Sequence, residues 1–201
     1  MFGLLRKAES WFGTFRKPQH PAVVALAEKI TRASLTVAES LKPYIRAPDD
    51  KTRMLCWWSV TCEFLYLFMH VANRFAFKHL GHAKRCKFQN EIYPLIARPV
   101  IEVIFGHWPS HLKDGMESEF RENLNNAEME YGTCTYFDSD DPFSQTDLFP
   151  KFASHVCELL GVEKGNTAGY RATFMKIAGL FLAASEEVKL DEAIVAVGKE
   201  L

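Results

Sequence analysis

The sequence has no CxxC pair, no Glu-x-x-His, no phosphate-cradling glycine loop and no run of strict polar–apolar alternation. Each absence closes a class. Without CxxC or any zinc-like spacing, Cys56, Cys62, Cys86, Cys134 and Cys157 read as reduced, buried thiols, and the expected localisation is cytoplasmic. Without Glu-x-x-His there is no di-iron bundle signature, and the expected metal set is none. His79 with His82, His107 with His111, and His155 with Glu158 read as surface or capping histidines. The stretch from Gly165 to Gly169 lacks the Lys-Ser/Thr ending of a P-loop. The acids Asp138, Asp140 and Asp141 precede a proline and do not follow the calcium-loop pattern. No nucleophile elbow occurs. The missing alternation leaves no sheet to build, so the expected class is all-α.

Charge of one sign is also missing. The formal net charge is -1, whereas a nucleic-acid-binding domain carries a basic stripe, so no nucleic-acid partner is expected. The nearest local excess, Lys78, Lys84, Arg85 and Lys87, reads as a cationic helix end complementing the macrodipole. The longest apolar region, residues 54–77, is interrupted by Glu63, His70 and Arg74. That interruption argues for a core helix over a membrane span.

What the chain has is phenylalanine, 16 in 201 residues, enough for a Phe-rich core in which each ring removes a large apolar area from water. The expected architecture is an irregular bundle of about seven or eight helices around a long central helix, residues 51–80. Residues 1–201 are read as one helical domain, with a possible hinge at 133–146 dividing 1–132 from 147–201. Along residues 22–41, Val23, Leu26, Ala27, Ile30, Val37, Ala38 and Leu41 share one face. Asp49 or Asp50 suits an N-cap for the central helix, and Gly81 suits a left-handed stop. At about 1.5 Å per residue that helix is roughly 45 Å long. Pro94 and Pro99 interrupt residues 88–107, which read as two short helices or one kinked helix, with a short strand at 100–105 as the alternative. From Asp114, the residues Met116, Phe120, Leu124, Ala127 and Tyr131 form one apolar stripe closed by Gly132. Glu117, Glu119, Glu122, Glu128 and Glu130 read as its solvated side. Three helices follow: 147–160 ended by Gly161, 167–184 capped by Asn166 or Thr167 with a break near Ser185, and 189–200.

Two constellations bear on function. On the central helix Ser59, Glu63, His70, Arg74 and Lys78 lie near one line amid Trp57, Trp58 and Phe64. Either this stripe is the helix's solvent edge, or it faces an internal cleft. In the second case Glu63, His70 and Arg74 are candidate ligand-binding residues with perturbed proton affinities. A haem would need only one axial histidine, and nothing beyond the position of His70 supports one, so the cofactor is unknown. At the N-terminus, residues 2–17 set Leu4, Trp11, Phe12 and Phe15 opposite Arg6, Lys7 and Lys17, the pattern of an interfacial helix. That face either packs on the core or docks on a membrane or protein partner. An organelle-targeting segment is disfavoured by Glu9 and the scarcity of serine. The function classes are therefore a non-enzymatic interaction or regulatory module using residues 2–17, and a small-ligand or cofactor-binding protein, or an enzyme, using the stripe. The missing nucleophile and metal motifs favour the first.

Overall fold

The computed structural model describes residues 20–134, 147–163 and 165–201. The expected helix at 2–17 and most of the expected hinge at 133–146 lie outside them. All regular structure in the described residues is helical, with no strand. They form α1 (Pro21–Leu41), a 3-10 turn (Lys42–Tyr44), α2 (Asp50–Phe105), α3 (Ser110–Tyr131), α4 (Leu148–Leu159), α5 (Thr167–Val188) and α6 (Leu190–Glu200). These are six α-helices, where the sequence suggests seven or eight.

α2 consists of two helical arms that meet at Gly81, whose φ of 67 and ψ of 172 are non-helical. The first arm therefore stops at the glycine expected to end the central helix, and the chain folds back there. Asn73 accepts hydrogen bonds from Arg85 Nε at 2.9 Å and Gln89 Nε2 at 2.7 Å. In a straight helix those residues would be about 18–24 Å apart. Trp58 and Phe105 would be about 70 Å apart, yet their rings lie 5.7 Å apart edge to face. α2 is thus a hairpin of two arms that meet along their length.

The returning arm passes through Pro94 and Pro99 as helix, which corrects the expected interruption and the strand alternative at 100–105. Each proline removes one N–H from the ladder. Ile92, Leu95, Ile96, Pro99, Val100 and Phe105 are nevertheless buried, and that packing overrides the local β preference. The first arm is enclosed on every side over a long stretch: Phe64 through Asn73 are all buried. By length and composition this helix could cross a membrane, but 72% of its most apolar window is buried inside the protein, as in a core helix.

The other helices close around the hairpin. α1 buries the seven apolar residues expected of it, together with Thr31 and Ser34. Its first turn has no side-chain cap of its own, and the Ala22 N–H instead donates to Glu200 Oε2 of α6 at 2.8 Å. Asp49 caps α2, accepting from the Thr52 N–H at 2.8 Å and the Thr52 hydroxyl at 2.9 Å, which holds its carboxyl below the usual range. Asn166 caps α5 through the Gly169 N–H. The expected break near Ser185 falls at Lys189, in the left-handed region at φ 50. α3 presents Phe120, Leu124 and Tyr131 to the core, with Met116 and Ala127 half-buried, as its stripe predicts. Phenylalanines knit α2, α4 and α5: Phe64 meets Phe152 at 4.9 Å, Phe68 meets Phe181 at 5.3 Å, and Phe149 meets Phe174 at 5.2 Å. All five cysteines are free thiols, but only Cys62, Cys134 and Cys157 are buried; Cys56 is half-buried and Cys86 is exposed.

The reversal generates a test. Gly81 sits where side chains are rarely tolerated, and a Cβ there would meet nothing within 4 Å, so its substitution costs conformational energy alone. Gly81→Ala should lower unfolding free energy by about 1–3 kcal/mol. Gly179→Ala, in the exposed interior of α5 with equally open surroundings, should instead raise it by about 0.5–1 kcal/mol. Urea denaturation followed by circular dichroism checks both.

Candidate functional site

A cleft of about 610 Å³ opens between the first arm of α2, α3 and α4. Two helical stripes build its walls. On α2, Leu55, Ser59, Cys62 and Tyr66 recur every three to four residues; on α3, Glu119, Asn123, Asn126 and Glu130 do the same. That spacing places each set on one face of its helix. The α3 set lies one residue step around from the apolar stripe, so packing Phe120, Leu124 and Tyr131 against α2 turns these polar residues toward it rather than wholly to water.

The aromatic parts of the lining are held from behind. Trp58 meets Phe105 edge to face, Trp108 lies tilted at 4.7 Å from the same ring, and Tyr66 lies 5.2 Å from Phe120. Charge enters through Glu63, Glu119 and Glu130, and through His155 of α4. Tyr131 donates its hydroxyl to Glu63 Oε2 at 3.1 Å. His155 stands between two carboxylates, Nδ1 at 3.5 Å from Glu63 Oε2 and Nε2 at 3.4 Å from Glu130 Oε1. A carboxylate only accepts, so both contacts are satisfied together by the imidazolium. The hydrogen bond to Glu63 accordingly raises the His155 pKa, against the desolvation of its ring, with Glu63, Glu130 and Glu158 adding Coulombic support.

The neutral groups of the cleft hold their protons. Burial pushes the Cys62 thiol well up, and it pushes the Tyr66 and Tyr131 phenols up. The neighbouring Glu63 carboxylate adds to all three shifts. These are hydrogen-bond donors, not activated nucleophiles.

Of the residues expected to share a ligand site, only Glu63 lines this cleft, with Ser59 beside it. His70 is 1% exposed and lies behind Tyr131, whose ring meets it edge-on at 5.6 Å. Its Nδ1–H donates to Glu128 Oε2 at 3.1 Å, and Asn73 Nδ2 reaches the same oxygen at 3.4 Å. Arg74 is half-buried beside the exposed Phe77, 5.7 Å from that ring's centre. The line of polar residues is therefore divided by depth: its start faces the cleft, its middle is a buried crosslink to α3, and its end lies at the hairpin tip. Leu4, Trp11, Phe12 and Phe15 lie outside the described residues. Among the described residues no group of three or more His, Cys, Asp or Glu side chains is placed to hold a metal ion.

His155, Tyr131, Glu130 and the two tryptophans are the residues that sequence reasoning passed over. His155 reads as a surface histidine beside Glu158, and Glu158 is exposed; its real partners come from other helices. A signal did exist, because the polar positions 119, 123, 126 and 130 repeat with helical period inside an otherwise solvated face.

The His155 bridge has a pH signature. Its pKa is higher in the folded chain than the ordinary value of about 6.5, so folding binds this proton more tightly. The bridge then contributes fully below about pH 6.5 and fades as pH rises through the raised value. His155→Gln should lower the thermal midpoint most near pH 6 and least near pH 9. A difference from wild type that grows with pH would contradict the bridge. Thermal melts across that range decide it.

No family model, curated protein or solved structure matches this chain, so its function has to be read from the chemistry of the cleft.

Proposed function

We propose that this chain is a small-ligand-binding protein whose cleft between α2, α3 and α4 accepts an organic cation such as a primary or quaternary amine. One observation carries the reading: the cleft pairs three carboxylates with four aromatic rings, Trp58, Tyr66, Trp108 and Tyr131, and among the described residues no lysine or arginine lines it. A cation gains from both, through charge-assisted contact with carboxylate and through the negative face of an aromatic ring. The volume is that of an ordinary small-molecule site, roughly 300–1,000 Å³. Raised thiol and phenol pKa values favour binding over nucleophilic chemistry, because the groups nearest the ligand keep their protons. The free thiols suit a reducing compartment, and a cytoplasmic setting belongs to the same reading.

His155 sets the affinity. Protonated, it occupies Glu63 and Glu130 and competes with the ligand's own charge; deprotonated, it releases both carboxylates. Lys151 adds a weaker offset from outside the lining, 4.0 Å from Glu130.

The second reading is an interaction module docking through Leu4, Trp11, Phe12 and Phe15. One observation favours it: His20, three residues beyond this segment in sequence, has ring nitrogens 2.7 Å from Glu91 Oε2 and 3.4 Å from Lys87 Nζ.

Calorimetric titration with choline, tryptamine and spermidine, against acetate and glucose as controls, separates the readings. Cations should bind and the controls should not. Glu63→Gln, which keeps an acceptor for Tyr131, should weaken cation binding about tenfold or more, the scale of a lost charged hydrogen bond. Affinity should rise with pH through the His155 titration and become flat in His155→Gln. Preference for acetate, or cation binding indifferent to Glu63→Gln, would overturn the proposal.

A further inference from the structure

The tip of the α2 hairpin carries a second, oppositely charged feature. From Phe64 to Asn90 there is no acidic residue, while Arg74, Lys78, Lys84, Arg85 and Lys87 all fall within its last part. On a chain of net charge -1 this is a marked local excess. The reversal at Gly81 gathers these cations, because it brings the segments before and after it side by side. Phe77 stands among them, 62% exposed, with the Arg74 guanidinium 5.7 Å and the Arg85 guanidinium 5.4 Å from its ring centre. Two acids beside this region are engaged, Asp191 with His79 and Glu91 with His20, while Glu186 and Glu192 lie with Phe75 around a shallow pocket at its side, and Lys84 donates to the Gly198 carbonyl at 2.7 Å.

We infer that this tip is a docking surface for an anionic lipid bilayer, with Phe77 entering the headgroup region and the surrounding lysines and arginines meeting lipid phosphates. Charge complementarity selects an anionic partner. The exposed aromatic ring one helical turn before the reversal selects a membrane over nucleic acid. A bilayer interface accepts a partly apolar ring flanked by cations, whereas a nucleic-acid backbone is tracked by an extended basic groove, and the cations here are confined to one apex. Continuity of the chain adds a third argument. In sequence, residues 2–17, with Trp11 and Phe12 opposite Arg6 and Lys7, precede His20 by three residues, and His20 contacts Glu91 and Lys87 at the flank of this apex.

The inference is independent of the cleft, which lies on the far part of the same arm. It is tested by co-sedimentation of the full chain with vesicles of equal parts phosphatidylserine and phosphatidylcholine, against vesicles of phosphatidylcholine alone. Binding should occur to the first only and should fall as salt is raised. Lys78→Gln and Lys87→Gln, both at exposed positions, should each weaken it about fivefold, the scale of one basic side chain near an anionic surface. Phe77→Ser should weaken it further at high salt, where the apolar contribution persists. Melting temperatures close to wild type establish that each variant is folded. Absence of vesicle binding, equal binding to both vesicle types, or folded variants that bind like wild type would overturn the inference. So would tighter retention on duplex DNA than on the anionic vesicles, lost in the same lysine variants.

Discussion

The whole arrangement hangs on the carboxamide of Asn73. It is 7% exposed and spends its oxygen on Arg85 and Gln89 across the hairpin, and its nitrogen on Glu128 of α3. A buried amide is stable only when so satisfied, and this one is satisfied only if three segments come together. Gly81 allows the chain to turn back; Asn73 fixes where the returning arm lies and where α3 lies against it. With the arms in register, Phe105 can back Trp58 and Trp108, and α3 can offer its Glu119–Glu130 face to the cleft. A single reversal thereby sets the geometry of both ends of the first arm.

Those ends differ in sign. Toward its start, carboxylates from α2 and α3 face one another across aromatic rings, with His155 as the one shared cation of the lining. Toward its end, arginines and lysines from the two arms crowd around one exposed ring. Between them runs an unbroken sequence of contacts: Glu63 to Tyr131, Tyr131 against His70, His70 to Glu128, Glu128 to Asn73, Asn73 to Arg85, and Arg85 over Phe77. Each link is polar or aromatic in an otherwise aliphatic and phenylalanine core. In a low-dielectric interior such links reinforce one another, although Glu128 Oε1 is buried without a hydrogen-bond partner among the described residues.

Much of the fold was legible in the sequence because it depends on local periodicity and local capping. The buried faces of α1 and α3, the Asp49 and Asn166 caps, and the stops at Gly81, Gly132 and Gly161 follow from rules that operate within one or two turns. The departures share one cause. Residues 88–107 are helical because the arm packs on its partner, which outweighs two prolines and a β-branched run. Helix α5 extends past Ser185 because Val188 is buried, a gain only a neighbouring helix can supply. The candidate site was legible in part. Glu63 was identifiable as an isolated acid on an apolar cylinder, but nothing near it in sequence shows that Tyr131 and His155 would meet it.

The sequence by itself determined that this protein is helical, that it has the phenylalanine for an aromatic core, and that the helix carrying Glu63 and His70 must be buried over most of its circumference. Only the tertiary structure decided what those groups do. Glu63 lines a cleft, while His70, seven residues on and almost on the same line, is sealed as a crosslink. Likewise Arg74 and Arg85 lie far apart along the helical path and share one ring only because the chain reverses. The physical reason is that helical periodicity fixes the angle at which a side chain leaves its own axis. What stands at that angle, whether water, a carboxylate or a phenyl ring, is set by the other helices.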